Sequence, residues 1–349
     1  AVFETARGGM MRAGLGYDLA DVGVVTNVAS DHLGLRGIYT MEQLTRLKAL
    51  VAENVREGGV AVLNADDANV LSMKENISCS AALFSLDPAN PAVKEHCAAG
   101  GAAAVYDDGT LFLLKGEWTI QLDKVINIPL TYSGKAAFQI QNVLAASLAA
   151  FVQDVKVEEI RIALQTFVPS PAQLPGRMNI FEFKTHKVLV DYAHNPHSME
   201  AIGKFVKSLG VRSSVGILAG TGDRRDEDLR DYGRVAAEFF DTVIIWKDDE
   251  YARGRDSNEV MELIVEGAEN GPRKTEVRVI LNEDDAVDHA IANVKKDQMI
   301  CIFTGRIRFM TDKIRTLKEK EMDVTITPDD VPGPFFVEKT GSDGPDRQG

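Results

Sequence analysis

Basic charge is in short supply in this 349-residue sequence: 39 lysines and arginines stand against 52 aspartates and glutamates, for a net charge of -13 at pH 7. Such a field repels nucleic acid and anionic membrane, which are excluded as partners, and favours a small or cationic substrate. Long apolar runs are missing as well. No stretch approaches the roughly 20 residues that cross a bilayer, and the opening AVFETARGGM is not a charged-then-apolar leader, so a cytoplasmic location is expected. Cysteine is scarce: Cys79, Cys97 and Cys301 are odd in number and lack CxxC spacing, which leaves inert, reduced thiols as the reading. A phosphate loop of the form GxxxxGK[ST] is absent too, and with it the usual cradle for β- and γ-phosphates. Ala1 stands first in place of Met, and residues 1–5 look like a strand end, so the chain is expected to be a fragment, inactive alone.

With 45% hydrophobic residues the chain can bury a sizeable core, and its length suggests two domains of about 100–200 residues each. Residues 22–26 (VGVVT) fit a buried parallel strand. Residues 41–55 follow a helical period, with Thr40 as N-cap and Gly58-Gly59 as stop, and a strand at 60–63 comes next. Short alternating segments at 102–106, 111–114 and 125–130, with the turn Asp107-Asp108-Gly109, suggest an antiparallel annex; helices are expected at 137–152 and 157–166. Pro169, Pro171, Pro175 and Gly176 then crowd into a domain boundary. Beyond it, strands near 187–191, 215–219, 242–246, 277–280 and 299–303 alternate with helices near 197–208, 226–239, 257–269, 284–294 and 306–320, which implies a doubly wound sheet. The tail from Thr327, rich in Pro, Gly and Asp, is expected to be disordered.

Five polar clusters fall at strand ends or loop starts, where open α/β sheets bind ligands. Glu4 in ETARGG can hold Mg²⁺ against nucleotide phosphates, or be a solvated strand end. His32 in TNVASDHLG can be a second metal ligand or substrate contact, its tautomer set by Asp31, or a surface histidine. Lys48 lies on the inner side of its helix with Leu44 and Leu47; it either snorkels or, carrying CO₂ as a carbamate, becomes an acceptor for Mg²⁺. In DYAHNP, Pro196 opens a helix and Asp191 can hold a ribose hydroxyl pair. The stretch GTGDRRD from Gly220 pairs with Lys247-Asp248-Asp249 and Arg253-Gly254-Arg255; its alternating charges can bind both ends of a zwitterionic amino acid, or form charged surface turns.

In this order and spacing the clusters resemble the Mur ligase superfamily, which includes the peptidoglycan amino-acid ligases and folylpolyglutamate synthetase. ETARGG, TNVASDHLG, LNADD, FQIQNVLAA, LPGRMN, DYAHNP, GTGDRRDEDLRDYG and KDDEYARGR look like its cyanophycin synthetase branch, over residues 1–305 or so. The resemblance implies an α/β chain: an incomplete P-loop-type central domain over 1–170, then a Rossmann-like doubly wound domain over 177–322, with the tail at 327–349. It implies ATP and Mg²⁺ as cofactors, with Glu4 and His32 on the metal and Lys48 carbamylated. Asn64 and Asn142 stand where family members contact adenine, Arg177 where an arginine reaches the phosphates, and Asp191 at the ribose, with His194 and Asn195 lining the same cleft. Lys48, Arg177 and His194 form the implied catalytic set. Asp223, Arg224, Arg225, Asp249, Arg253 and Arg255 fall where the incoming amino acid docks.

The implied reaction phosphorylates a carboxylate with ATP and lets an amine displace the phosphate. In the cyanophycin branch this joins arginine to the β-carboxylate of aspartate on a polymer primer, and a homo-oligomer is expected. Phe138-Gln139 stands where peptidoglycan ligases carry a His-Asn pair, and the segment FTGRIR from Phe303 lacks the family's acidic pattern. A peptidoglycan or folate ligase, or a nucleotide-binding piece without turnover, is the alternative.

Overall fold

The computed structural model describes residues 1–31 and 33–323. His32 and the tail from Thr327 therefore lie outside the described residues.

Six strands form a first sheet in chain order: β1 (Ala20–Val25), β2 (Val55–Asn64), β3 (Ser80–Ser85), β4 (Ala102–Asp107), β5 (Thr110–Lys115) and β6 (Trp118–Lys124). β1 to β4 run parallel and β5 and β6 antiparallel. Helices α1 (Arg7–Ala13), α2 (Met41–Glu53), α3 (Ala68–Leu71) and α4 (Pro91–Ala98) punctuate the strands, and α5 (Ala137–Phe151) and α6 (Val157–Thr166) follow them. Successive side chains of β2 point to opposite faces. Ala61 and Leu63 pack with Leu44 and Ala52 of α2, while Val62 joins Phe84 and the α5 residues Val143 and Leu144. Both faces are covered, which is why the strand reads as an unbroken apolar run.

α2 starts where Thr40 predicts: its Oγ accepts the Gln43 N–H at 3.2 Å and the Gln43 side chain returns to the Thr40 N–H at 3.2 Å, a capping box. The helix ends at Glu53, earlier than expected, because Asn54 turns its amide back onto the Leu50 carbonyl at 2.9 Å; Gly58-Gly59 lie inside β2. Residues 1–5 are not a strand, since no neighbouring strand meets them, and Val2 and Phe3 are exposed. The expected antiparallel annex is confined to β5 and β6; β3, unforeseen, and β4 extend the parallel sheet. Residues 125–130 form 3₁₀ turns instead of a strand. Asp123 takes the Lys124 N–H and the Asn127 amide, and the Thr131 hydroxyl bonds the Val125 and Ile128 carbonyls, so the chain curls there.

No helix or strand covers residues 167–178, the proline-rich stretch. A second six-stranded sheet follows, in the order β11-β10-β9-β12-β8-β7. Its strands are β7 (Asn179–Glu182), β8 (His186–Asp191), β9 (Ser213–Leu218), β10 (Thr242–Ile245), β11 (Glu276–Val279) and β12 (Gln298–Phe303), all parallel except β7, which the sequence did not disclose. Its helices are α7 (Pro196–Ser208), α8 (Asp226–Phe239), α9 (Ser257–Glu269), α10 (Glu283–Ala292) and α11 (Ile307–Asp323). Every residue of β12 is buried. Met299, Cys301 and Phe303 join the core under α7, α8 and α9, while Ile300 and Ile302 join the one under α10 and α11.

β9 and β12 are neighbours, yet the chain leaves β9 for α8 on one face and β12 for α11 on the other. Loops that part in this way leave a crevice at the carboxyl ends of the strands. The two halves also meet away from that crevice. Tyr132, Ser133 and Gly134 all adopt positive φ, and the bend seats the Tyr132 ring 5.2 Å from Phe205 while its hydroxyl donates to the Met178 carbonyl at 2.6 Å.

Candidate active site

The loop leaving β1 is tied down from three directions. Asn64, 3% exposed at the end of β2, donates to the Thr26 carbonyl at 2.8 Å and accepts the Asp66 N–H at 2.9 Å. Asp67 accepts the Val28 N–H at 2.7 Å and caps α3 with its other oxygen. Lys48 reaches across from α2 to the Asn27 carbonyl at 2.9 Å. Burial lowers the Lys48 pKa, against the opposing pull of Asp31 and Asp67, so its amine surrenders a proton more readily than an exposed lysine.

This anchored loop presents Asp31 to the second half. Its carboxylate is 3.1 Å from Arg224 Nη2, accepts the Asn195 amide at 3.0 Å, and lies 3.9 Å from His194 Nε2. Asn195 is held for this by its own cap on α7, where its Oδ1 accepts the Ser198 N–H at 2.8 Å. His194 Nδ1 is 2.9 Å from the Tyr192 carbonyl. A carbonyl only accepts, so Nδ1 carries the proton and Nε2 is the acceptor of the neutral ring. Burial lowers the His194 pKa, which keeps that neutral form dominant. Arg224, almost fully enclosed, also pairs with Asp223 at 3.0 Å, and Asp223 pairs in turn with Arg253. Burial pushes the Asp223 pKa up, but the two arginines outweigh it and hold the carboxylate ionised.

Asp191 ends β8 with both oxygens engaged, accepting the Met178 N–H and the Ala193 N–H, each at 2.7 Å. It is 6% exposed, and burial raises its pKa against those donors and nearby Arg177. Asp191 therefore braces the LPGRMN bend from behind the cleft wall, while Tyr192 and His194 line the cleft itself. Arg177 is exposed, its guanidinium 5.2 Å from the Tyr192 ring centroid.

The structure thus gathers Asp31, His194, Asn195, Asp223, Arg224 and Arg253 at one seam, with Lys48 and Asn64 fixing the loop beside it. Other expected residues turn elsewhere. Glu4 is exposed and among the described residues makes no hydrogen bond or ion pair. Asn142 is exposed on α5 and bonds Gln139 at 3.0 Å. Arg225 pairs with Asp228 at 2.7 Å, and Arg255 with Asp226 and Glu259 at 2.7 and 2.6 Å, all at helix starts. Asp249 faces solvent, bonded to Ser257 and to Lys247. Its neighbour Asp248 points inward instead, into a crevice shared with Trp246, Tyr251 and Thr304. Trp246, Tyr251 and Glu283 escaped the sequence reading; an aromatic beside a carboxylate directly after β10 was the available signal.

Comparison with known proteins agrees with this architecture. The Mur ligase middle domain matches residues 1–150 and the Mur ligase glutamate ligase domain residues 176–306. The chain is 46% identical to a cyanophycin synthetase of Trichormus variabilis over 92% of its own length, though it spans only 36% of that relative. Against a UDP-N-acetylmuramoyl-L-alanyl-D-glutamate–2,6-diaminopimelate ligase of Bacillus cereus it is 28% identical, over 81% of this chain and 54% of the relative. Among solved structures, MurF from Acinetobacter baumannii superposes with a TM-score of 0.61 at 17% identity, covering 86% of this chain and 60% of MurF. Escherichia coli FolC in complex with ADP superposes with a TM-score of 0.60 at 17% identity, covering 87% of this chain and 63% of FolC. The described residues include no helix long and apolar enough to cross a membrane. Middle and glutamate ligase domains in sequence, on two parallel-rich sheets that meet at the Asp31 seam, make this chain a member of the Mur ligase family, with sequence likeness to its cyanophycin synthetases.

Proposed function

We propose that this chain belongs to an ATP-dependent ligase that forms an amide bond through an acyl-phosphate, joining arginine to the β-carboxylate of aspartate in a cyanophycin primer. The observation that carries the reading is the seam itself. Asp31, from the strand ends of the first sheet, meets His194, Asn195 and Arg224, from those of the second. Two sheets that turn their carboxyl ends toward one another can hold a phosphoryl donor on one side and an acceptor amine on the other.

A carboxylate oxygen of the substrate attacks the γ-phosphorus of ATP and ADP departs. The amine nitrogen then attacks the acyl carbon, loses a proton, and phosphate leaves. His194 Nε2 is the acceptor for that amine proton, since the ring is neutral and its tautomer is set by Tyr192. Arg177, exposed at the rim, faces the phosphates, and Arg224 and Arg253 draw the acidic end of the incoming amino acid toward the seam. The nucleoside lies along the cleft that Tyr192, His194 and Asn195 line, and Asp191 serves it by bracing that wall from behind.

Mg²⁺ suits Glu4, whose carboxylate makes no described bond, because one carboxylate plus phosphate oxygens is a usual Mg²⁺ environment; the ion would neutralise phosphate charge there. Among the described residues no three acidic, histidine or cysteine groups converge as a self-sufficient metal cage. A carbamate on Lys48 would add an acceptor on the same side, and the lowered pKa of that amine favours its formation.

The test is phosphate release by the full-length protein with ATP, Mg²⁺, primer and arginine, compared with diaminopimelate, D-glutamate and L-glutamate. Release with arginine alone is expected, and release only with another amine would move the chain to a peptidoglycan or folate ligase. A second reading is nucleotide binding without turnover. Calorimetric binding of ATP with no phosphate released from any acceptor would establish it.

A further inference from the structure

The LPGRMN bend is gripped from both halves of the chain, and Met178 is where the two grips meet. Met178 has a φ of 53°, and a residue with a Cβ stays in the left-handed region only where its surroundings impose it. Its N–H donates to Asp191 Oδ2 at 2.7 Å, and its carbonyl accepts the Tyr132 hydroxyl at 2.6 Å. These bonds engage the peptide planes on either side of the Met178 Cα, so together they fix its φ and ψ. The side chain, 3% exposed, is buried in the same core as Ala136 and Leu189.

Tyr132 is itself a rigid post. Tyr132 and Ser133 have φ of 52° and 58°, in a turn pinned by the Thr131 hydroxyl, whose oxygen accepts the Gly134 N–H at 3.1 Å. Burial, with Asp191 adding to it, pushes the Tyr132 pKa up to about 12, so the hydroxyl keeps its proton and remains a donor. On its other side the bend touches the cleft wall. The Gly176 carbonyl accepts the Tyr192 N–H at 2.9 Å, and Asp191 Oδ1 accepts the Ala193 N–H at 2.7 Å. Three hydrogen bonds in series thus join a hydroxyl of the first half to the wall between Tyr192 and His194.

We propose that Tyr132 is a positioning residue for the nucleotide: it sets the bend at Met178 and, through that bend, the Asp191 carboxylate and the cleft wall of Tyr192 and His194. The nucleoside side of the cleft therefore takes its binding shape only while the first half is docked on the second. This rests on the ligase reading above and deepens it. Ser208, on α7, is the natural control. Its hydroxyl also reaches across the junction, to the Lys135 carbonyl at 3.4 Å, but bonds neither Met178 nor Asp191.

The experiment follows deuterium uptake, by mass spectrometry, in the peptide covering residues 174–182 of the full-length protein, with and without ATP and Mg²⁺. Alongside it, the KM for ATP is measured in arginine-dependent phosphate release. Tyr132→Phe keeps the ring and removes the hydroxyl. It should speed exchange in 174–182 by about three- to tenfold, the factor one hydrogen bond is worth, and weaken the slowing that ATP causes there. KM for ATP should rise by a similar factor, with kcat and KM for arginine within about twofold of wild type. Ser208→Ala should change none of these. Wild-type exchange and wild-type KM for ATP in Tyr132→Phe overturn the proposal, even where arginine-dependent release proves the ligase. An equal rise in both KM values, or the same losses in Ser208→Ala, overturns it as well. Faster exchange and lost ATP protection in Tyr132→Phe, beside a wild type that releases no phosphate with any acceptor, overturn the ligase reading and leave the positioning role standing. Should Tyr132→Phe fail to fold, the wild type decides: slowing of exchange in 174–182 by ATP supports the role, and exchange as fast as in an unstructured peptide, whether or not ATP is present, overturns it.

Discussion

Arg224 Nη2 stands 3.1 Å from Asp31 Oδ1, an ion pair that spans the two sheets. The Arg224 side chain is 5% exposed and that of Asp31 23%, so solvent screens the pair weakly. Removing one partner of such a pair leaves a poorly compensated charge, at a cost of about 3 kcal/mol. Arg224→Met is therefore expected to lower the thermal midpoint by roughly 5–10 °C, read by differential scanning calorimetry. A midpoint equal to wild type would mean that Tyr132 and Phe205 hold the halves together unaided.

The pH dependence follows from His194. Its pKa is lowered, chiefly by burial, so the unfolded chain binds the proton more tightly than the folded one. Stability from this group is fully present above the unfolded value of about 6.5 and is lost as pH falls below it through the folded value. The acidic limb of kcat/KM should accordingly lie below pH 6.5 or so, and disappear in His194→Gln along with about tenfold or more of the rate. A limb that persists in the variant assigns the proton to another group.

Lys48 offers a spectroscopic check. With ¹³C-labelled bicarbonate, a single carbamate carbon resonance is expected in the wild type and not in Lys48→Arg. Lys48→Ala should lose about tenfold or more in turnover and recover part of it with added short carboxylic acids. No resonance in the wild type would leave Lys48 as a cation that only braces the Asn27 carbonyl.

Gly222 tests the contact between the two charged loops. A Cβ at this position would lie 1.8 Å from the Ala252 carbonyl oxygen, and the Gly222 N–H donates to the Tyr251 carbonyl at 2.9 Å. Gly222→Ala must push the loops apart, so KM for the acceptor amino acid should rise by about tenfold while KM for ATP changes little. Equal effects on both would point to general loosening of the second half.

Much of the second sheet was legible because each strand is an apolar run of the usual length and each helix repeats at the helical period. The 226–239 and 257–269 helices coincide with α8 and α9. The first half was harder. β3 is a short SAALFS segment with small residues, and the 3₁₀ turns after Lys124 have the β-branched look of a strand until Asp123 and Thr131 claim their backbone groups. Within the site, DYAHNP and GTGDRR announced themselves as polar clusters after strands. Which members face inward was not visible: Asp248 and Asp249, or Arg224 and Arg225, are chemically alike and adjacent.

Sequence alone determined the alternation of strand and helix, and with it the end of each sheet where the polar loops gather, because these depend on local periodicity and on the fixed handedness of strand–helix–strand units. Only the tertiary structure decided that Asp31 finds Arg224, and that Asp191 props the wall and Tyr192 lines it. Those choices depend on how helices pack across two sheets and on the twist with which each strand releases its loop, and neighbours in the chain carry no trace of either.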